Sequence, residues 1–288
     1  MPTFEIITPS YSDDRELCGD LVRSIRRFAP AGTPHTLIVP RRDVALFRPL
    51  EQEGVTVIEV GDVLPRRFVK VPFVNGWVNV RSPWPPVRGW IAQQIVKLEA
   101  VARSTADVVL VVDSDVQMVR KFDVDDFLVN GQVPLYRLDG AVTSALTRHM
   151  LWDAVARRLL GVPADESPQH PDYVCWPCLW QPSLVRATLA RVEEVAGRDW
   201  ASAIGRELHF SEMVLYGVYV DEVASTSVYT DDMHCPAISD ERALDSAQLS
   251  AFLASLTPAD VAVMISAKSG TDLELRRAAI SRASGPDS

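Results

Sequence analysis

The run Val108-Val109-Leu110-Val111-Val112-Asp113-Ser114-Asp115-Val116 carries five consecutive aliphatic residues straight into two carboxylates spaced i and i+2. A run of branched apolar residues without polar alternation reads as a strand buried on both faces, the pattern of a parallel sheet covered by helices. Ligands of open α/β sheets bind outside the carboxyl ends of such strands, so Asp113 and Asp115 stand where a ligand would be. Two carboxylates are hard oxygen donors suited to Mg²⁺ or Mn²⁺, ions that commonly bridge one or two acids to substrate phosphates. A metal-bound diphosphate is the ligand this implies. The plainer alternative is a turn acid followed by a helix cap.

Outward from this strand, strands and helices alternate. Phe4–Ile7 reads as a first strand, closed by the turn-rich loop Thr8-Pro9-Ser10-Tyr11-Ser12-Asp13-Asp14. Leu17, Leu21, Val22, Ile25 and Phe28 then recur at helical spacing, with Arg26 and Arg27 in the last turn where the helix dipole favours positive charge. Strands at 36–39 and 55–58 enclose a short helix at 43–52, and a helix over 91–102 leads into the Asp-Ser-Asp strand. This alternation predicts an α/β fold with a central, mostly parallel, Rossmann-like sheet flanked by helices. Residues 61–90 lose periodicity and read as a long loop, and 165–172 as a polar loop. Further helices are expected at 146–160 and 184–195.

The bulk numbers exclude several classes. With 288 residues, 47% apolar and 23% charged, the protein has enough apolar surface to bury a sizeable core. A net charge of −9 disfavours nucleic acid and anionic membranes as partners. No apolar run approaches the roughly 20 residues needed to span a bilayer, and the N-terminus carries no signal-like segment. A cytoplasmic protein without stable membrane insertion is expected. Cys175-Trp176-Pro177-Cys178 with His234-Cys235 has the ingredients of a zinc site, although buried packing thiols explain a mid-sequence C-x-x-C in an aromatic stretch more simply.

An N-terminal strand with a Thr-Pro-Ser-Tyr loop, α/β units, and an aliphatic strand ending in Asp113-Ser114-Asp115 resembles the GT-A class of nucleotide-sugar glycosyltransferases with a D-x-D motif. The runs Gly89–Leu98, Phe210-Ser211-Glu212 and Leu215-Tyr216-Gly217 are similar to an actinobacterial GT-A-like subgroup. The resemblance implies one catalytic domain over 1–280, with a nucleotide-binding half at 1–117, an acceptor-binding half at 118–280 and a disordered tail at 281–288. It implies that Thr8, Pro9, Ser10 and Tyr11 line the nucleotide pocket with Asp13 near it. Asp113 and Ser114 would meet the donor, Asp113 and Asp115 would hold Mn²⁺ or Mg²⁺, and His234 would add a ligand. Lys268 would meet the diphosphate from a C-terminal loop. His234 and Lys268 also fit as surface residues.

Transfer from a nucleotide-diphosphate sugar to a soluble acceptor, a small molecule, natural product or glycan, then follows. An inverting reaction needs a base, and Glu212 is the candidate, with Asp113 as the other catalytic acid; pairing of Glu212 with an arginine such as Arg206 is the alternative. A retaining reaction needs no such base. Gln93, Gln94 and Lys97 could reach donor hydroxyls or form a solvated face. Trp84, Trp90, Trp176 and Trp180 are acceptor-pocket candidates or core. Two rivals stand beside this reading. A nucleotidyltransferase is disfavoured by a first loop that is acidic and lacks glycine, and a non-catalytic nucleotide-sugar-binding protein of the same fold by the intact acids. The oligomeric state is left open.

Overall fold

The computed structural model describes residues 2–71, 76–226, 228–239 and 241–285. Its centre is a five-stranded sheet. Strand β1 (Phe4–Pro9) is followed by helix α1 (Arg15–Phe28), β2 (His35–Val39) and β3 (Thr56–Glu59). The three strands pair in parallel in that order. Helix α1 buries Leu21, Val22, Ile25 and Phe28, the residues at 3.6-residue spacing, and its last turn carries Arg26 and Arg27.

Residues 68–88, expected within a long loop, instead form a three-stranded antiparallel sheet of β4 (Phe68–Lys70), β5 (Gly76–Asn79) and β6 (Ser82–Arg88). Among the described residues strand β6 pairs only with β5, and prolines are tolerated in such an outer strand because no second neighbour there needs their missing N–H. Its prolines and short strands concealed it from periodicity. Residues 72–75 of that stretch lie outside the described residues.

Helix α2 (Gly89–Arg103) leads to β7 (Val108–Val111), which adds in parallel to the free side of β1. Every residue of β7 is buried, as a strand covered on both faces requires. Strand β8 (Val116–Met118) continues beyond the Asp-Ser-Asp turn. Helices α3 (Thr147–Leu160) and α4 (Pro182–Ala196) match their expected positions. The expected loop at 165–172 ends in a strand, Gln169–Asp172, paired antiparallel with Leu138–Thr143. Polar sequence concealed it, since the buried His170 is held by polar contact, its Nδ1 2.9 Å from Asp153 Oδ2, and not by apolar character.

Strand β9 (Cys178–Trp180) closes the edge of the main sheet antiparallel to β7. Helix α5 (Glu212–Val218) follows with Ser211 as its cap, the hydroxyl accepting from Val214 N. Strand β10 (Ala262–Ile265) pairs antiparallel with β8, and α6 (Leu273–Ser284) is the last element. Helix thus extends into the expected tail, with Ser284 buried; residues 286–288 lie outside the described residues. No helix among the described residues is long and apolar enough to cross a membrane.

One close approach holds α5 in place. A Cβ at Gly217 would land on the Tyr173 ring, against Cγ, Cδ1 and Cβ. Gly217→Ala is therefore expected to destabilise by about 2–3 kcal/mol through overpacking, read as a lowered denaturant midpoint.

Candidate functional site

The sheet order β9-β7-β1-β2-β3 reverses its direction of growth between β1 and β7. A crevice opens at the carboxyl ends of two strands where such a reversal occurs. Val112 N donates to Ile7 O (3.0 Å), which sets the Asp113-Ser114-Asp115 turn beside the loop that leaves β1. A buried hydrogen bond joins the two loops, Ser114 Oγ donating to Ser10 Oγ at 2.8 Å. The expected neighbours therefore meet, with different exposure. Tyr11 and Asp13 are exposed, whereas Thr8, Pro9 and Ser10 are buried. The Thr8 hydroxyl lies 3.0 Å from His35 Nε2 in the sheet interior, and burial pushes His35 down to about 3, so its imidazole is neutral.

Four carboxylates gather at this end. Asp115 is raised by burial and by repulsion from Asp113, opposed by the Ala267 N–H that donates to its Oδ2 (3.0 Å) and by the Arg276 guanidinium. Asp14 is pushed up to about 6 by burial and then by Asp115, Asp13 and Asp113. Tyr11 is raised by burial and then by Asp14, Asp13 and Asp115. Asp14 was legible only as one of two adjacent acids; the start of α1 turns it toward Asp115.

Beneath the crevice, Lys97 of α2 bridges two carboxylates, with Nζ 2.9 Å from Asp113 Oδ1 and 3.1 Å from Glu212 Oε1. The side chains of Lys97 and Glu212 are 5% and 2% exposed, against 31% for Asp113. Turned with its nitrogen toward Glu212, the buried Gln94 amide donates to that carboxylate, 2.8 Å to Oε1. Burial alone would depress Lys97, but Asp113 and Glu212 outweigh it and hold the ammonium above the ordinary lysine range. Gln94 and Lys97 are thus not a solvated face, and Glu212 pairs with Lys97, with Arg206 left exposed.

The C-terminal elements secure Asp115. Ile265 N donates to its carbonyl at 3.3 Å. Arg276 of α6 donates Nη1 to Ile265 O (2.7 Å) and Nη2 to Asp115 O. Nothing near Arg276 in sequence signals this contact with a residue 161 positions away. The same turn carries Lys268, largely exposed, with Nζ 4.0 Å from Glu241 Oε1. His234 has a left-handed backbone, φ 53°, stabilised by its N–H donating to Asp232 Oδ1 (2.7 Å). Its ring stacks obliquely on Phe127, centroids 6.3 Å apart.

Among the described residues no group of three or more His, Cys, Asp or Glu is arranged to hold a metal ion. All four cysteines are free; Cys178 donates to Cys175 O at 3.3 Å, and its thiol is raised by contact with Cys175 and by burial. These are packing thiols. Among the tryptophans, Trp180 is buried against Tyr216 and Trp176 is packed on the core, while Trp84 and Trp90 are exposed.

Residues 4–260 match the model of a family of unknown function, DUF6492. The protein belongs to that family. No curated protein matches it. Among solved structures, the apo form of mouse xyloside xylosyltransferase 1 aligns with 93% of this DUF6492 protein and 99% of its own length, at 9% identity and a TM-score of 0.46. At that overlap the likeness carries no residue correspondence.

Two outcomes are expected. Lys97→Met leaves Glu212 buried and unpaired and should destabilise by about 3–5 kcal/mol, and adding Glu212→Gln should recover most of the loss in denaturant titrations. Asp14 has a folded value of about 6 against an ordinary 3.8, so the native state holds the proton more tightly and ionisation lowers stability as pH rises between those values. Asp14→Asn should match the parent near pH 4 and exceed it at pH 7 by on the order of 1 kcal/mol, after allowance for screening of this half-exposed group. Equal stability at both pH values would count against the acidic cluster.

Proposed function

We propose that this DUF6492 protein is a metal-dependent glycosyltransferase that moves a sugar from a nucleotide-diphosphate sugar to an acceptor. The observation that carries the reading is the acidic cluster at the β1/β7 crevice. A diphosphate entering there faces Asp13, Asp14, Asp113 and Asp115, and like charge would expel it unless a cation neutralises the contact. The donors are hard oxygens, and Mg²⁺ or Mn²⁺ characteristically takes one or two carboxylates and completes its shell with substrate phosphate and water. The residues therefore fit such an ion, with Asp115 as the principal ligand and Asp113 beside it. When bound, the ion would stabilise the charge that grows on the leaving diphosphate.

The protein's own residues divide the remaining tasks. Tyr11 and Asp13, exposed at the end of β1, form the entry to a nucleotide pocket whose floor is the Ser10–Ser114 contact. Asp113 is the accessible end of the Glu212–Lys97–Asp113 series and faces the donor sugar. Lys97 fixes Asp113 in position, and Gln94 and Glu212 fix Lys97. Glu212, the base candidate, is so enclosed that we assign it to positioning. Lys268 extends from the turn that holds Asp115 and is free of close pairing, 4.0 Å from Glu241, so it can swing to the diphosphate. His234 stays a supplementary ligand candidate in this reading.

Calorimetry with UDP, GDP, CDP, ADP and dTDP, each with Mn²⁺ or with EDTA, tests the reading. One nucleotide is expected to bind with Mn²⁺ and not with EDTA, and Asp115→Asn should abolish that binding while leaving the thermal midpoint nearly unchanged. Absence of binding by all five would sink the proposal. Glu212→Gln separates its two roles: a positioning residue changes donor affinity and turnover together, while a base changes turnover alone.

A further inference from the structure

Helix α2 is joined to β7 by the short turn 104–107, so it runs antiparallel to that strand and its N-terminus lies at the sheet's carboxyl edge. Lys97 is level with Asp113, which it contacts. Trp90 lies seven residues earlier, about 10 Å further out along the helix axis at 1.5 Å per residue. Trp90, Gln94 and Lys97 follow i, i+4, i+7 spacing and therefore share one helix face. Along that face exposure falls from 51% at Trp90 to 1% at Gln94 and 4% at Lys97. The face is thus a wall descending from solvent to the carboxylates.

The indole is also tethered. Trp90 Nε1 donates to Phe210 O at 3.2 Å, two residues before Glu212. With its only polar atom engaged, the ring is held in one orientation with half of its surface open. Leu208 and His209, which precede Phe210, are exposed, and Gln93 is half-buried three residues after Trp90. An exposed aromatic face, with an amide side chain three residues along its helix and an imidazole next in sequence to the residue that anchors it, suits a sugar ring, whose C–H face packs on an indole while its hydroxyls take polar groups. A half-exposed tryptophan otherwise leaves a large apolar surface in water.

We propose that Trp90, with Gln93 and His209, forms the acceptor subsite, and that the acceptor is a carbohydrate. This rests on the glycosyl-transfer reading and adds the acceptor's chemical class. The distance from Asp113 separates this subsite from the donor sugar, which sits at the bottom of the wall beside Lys97.

The test uses methyl β-glycosides of glucose, galactose, xylose and mannose as probes, followed by saturation-transfer NMR on the 288-residue protein saturated with diamagnetic Mg²⁺ and the nucleotide that calorimetry selects, or without nucleotide if none binds. At least one glycoside is expected to bind, with affinity reduced about tenfold or more in Trp90→Ala and within about threefold of the parent in Trp90→Phe. Nucleotide affinity and thermal midpoint should be unchanged in both variants. Binding that survives Trp90→Ala, or no glycoside binding by the parent, would overturn the subsite. Glycoside binding that depends on Trp90 in a protein that binds no nucleotide would keep the carbohydrate subsite and remove the transfer reaction, so the two failures are distinguishable. Should Trp90→Ala unfold, Trp90→Phe against His209→Ala decides: loss in the second with retention in the first supports the subsite, and no change in either refutes it.

Discussion

The ammonium of Lys97, buried between the carboxylates of Asp113 and Glu212, ties the two parts of the molecule together. Asp113 follows a strand of the main sheet and Glu212 opens a helix far later in the sequence, and the charge between them joins the two. Taking the Lys97–Glu212 pair out of water is costly, and apolar side chains of the same volume would pack there without that cost. Stability alone therefore does not account for the arrangement. In the proposed function, a carboxylate held in place by a buried ammonium would meet a sugar or a cation already oriented.

Around this pair the electrostatics are unbalanced. Lys97 neutralises only one of the two acids it touches, and Asp14 and Asp115 remain under mutual repulsion with Asp113 and Asp13. Backbone and guanidinium donors from Ala267, Ile265 and Arg276 hold Asp115 in place. The outcome is a rigid turn with an unmet demand for positive charge. Tyr11 and Trp90 are the exposed aromatic side chains of the elements that carry these charges.

Local patterns carried far along the sequence. The parallel strands 4–9, 35–39, 56–59 and 108–111 and the helices between them are legible because each buries residues at its own period, and β7 because it is apolar without alternation. The strands 68–70, 76–79 and 82–88 were not legible, since an outer strand tolerates prolines and needs no apolar run. Among site residues, Asp113 and Asp115 announced themselves by position after a buried strand. Asp14 and Arg276 did not, for their roles depend on which way a side chain turns and on a contact spanning 161 residues.

Composition and periodicity were sufficient for the α/β class and the strand that ends in the paired acids, while the GT-A resemblance singled out Glu212 and the helix before that strand put forward Gln94 and Lys97. The tertiary structure decided how they are used. It showed that Thr8 faces His35 in the interior, that Glu212 is the buried partner of Lys97, and that Trp90 is exposed while Trp180 is core. The physical reason is one of range. Periodicity reports which face of an element avoids water, a property of neighbouring residues, whereas an ion pair or an open ring face is set by atoms brought together from distant parts of the sequence.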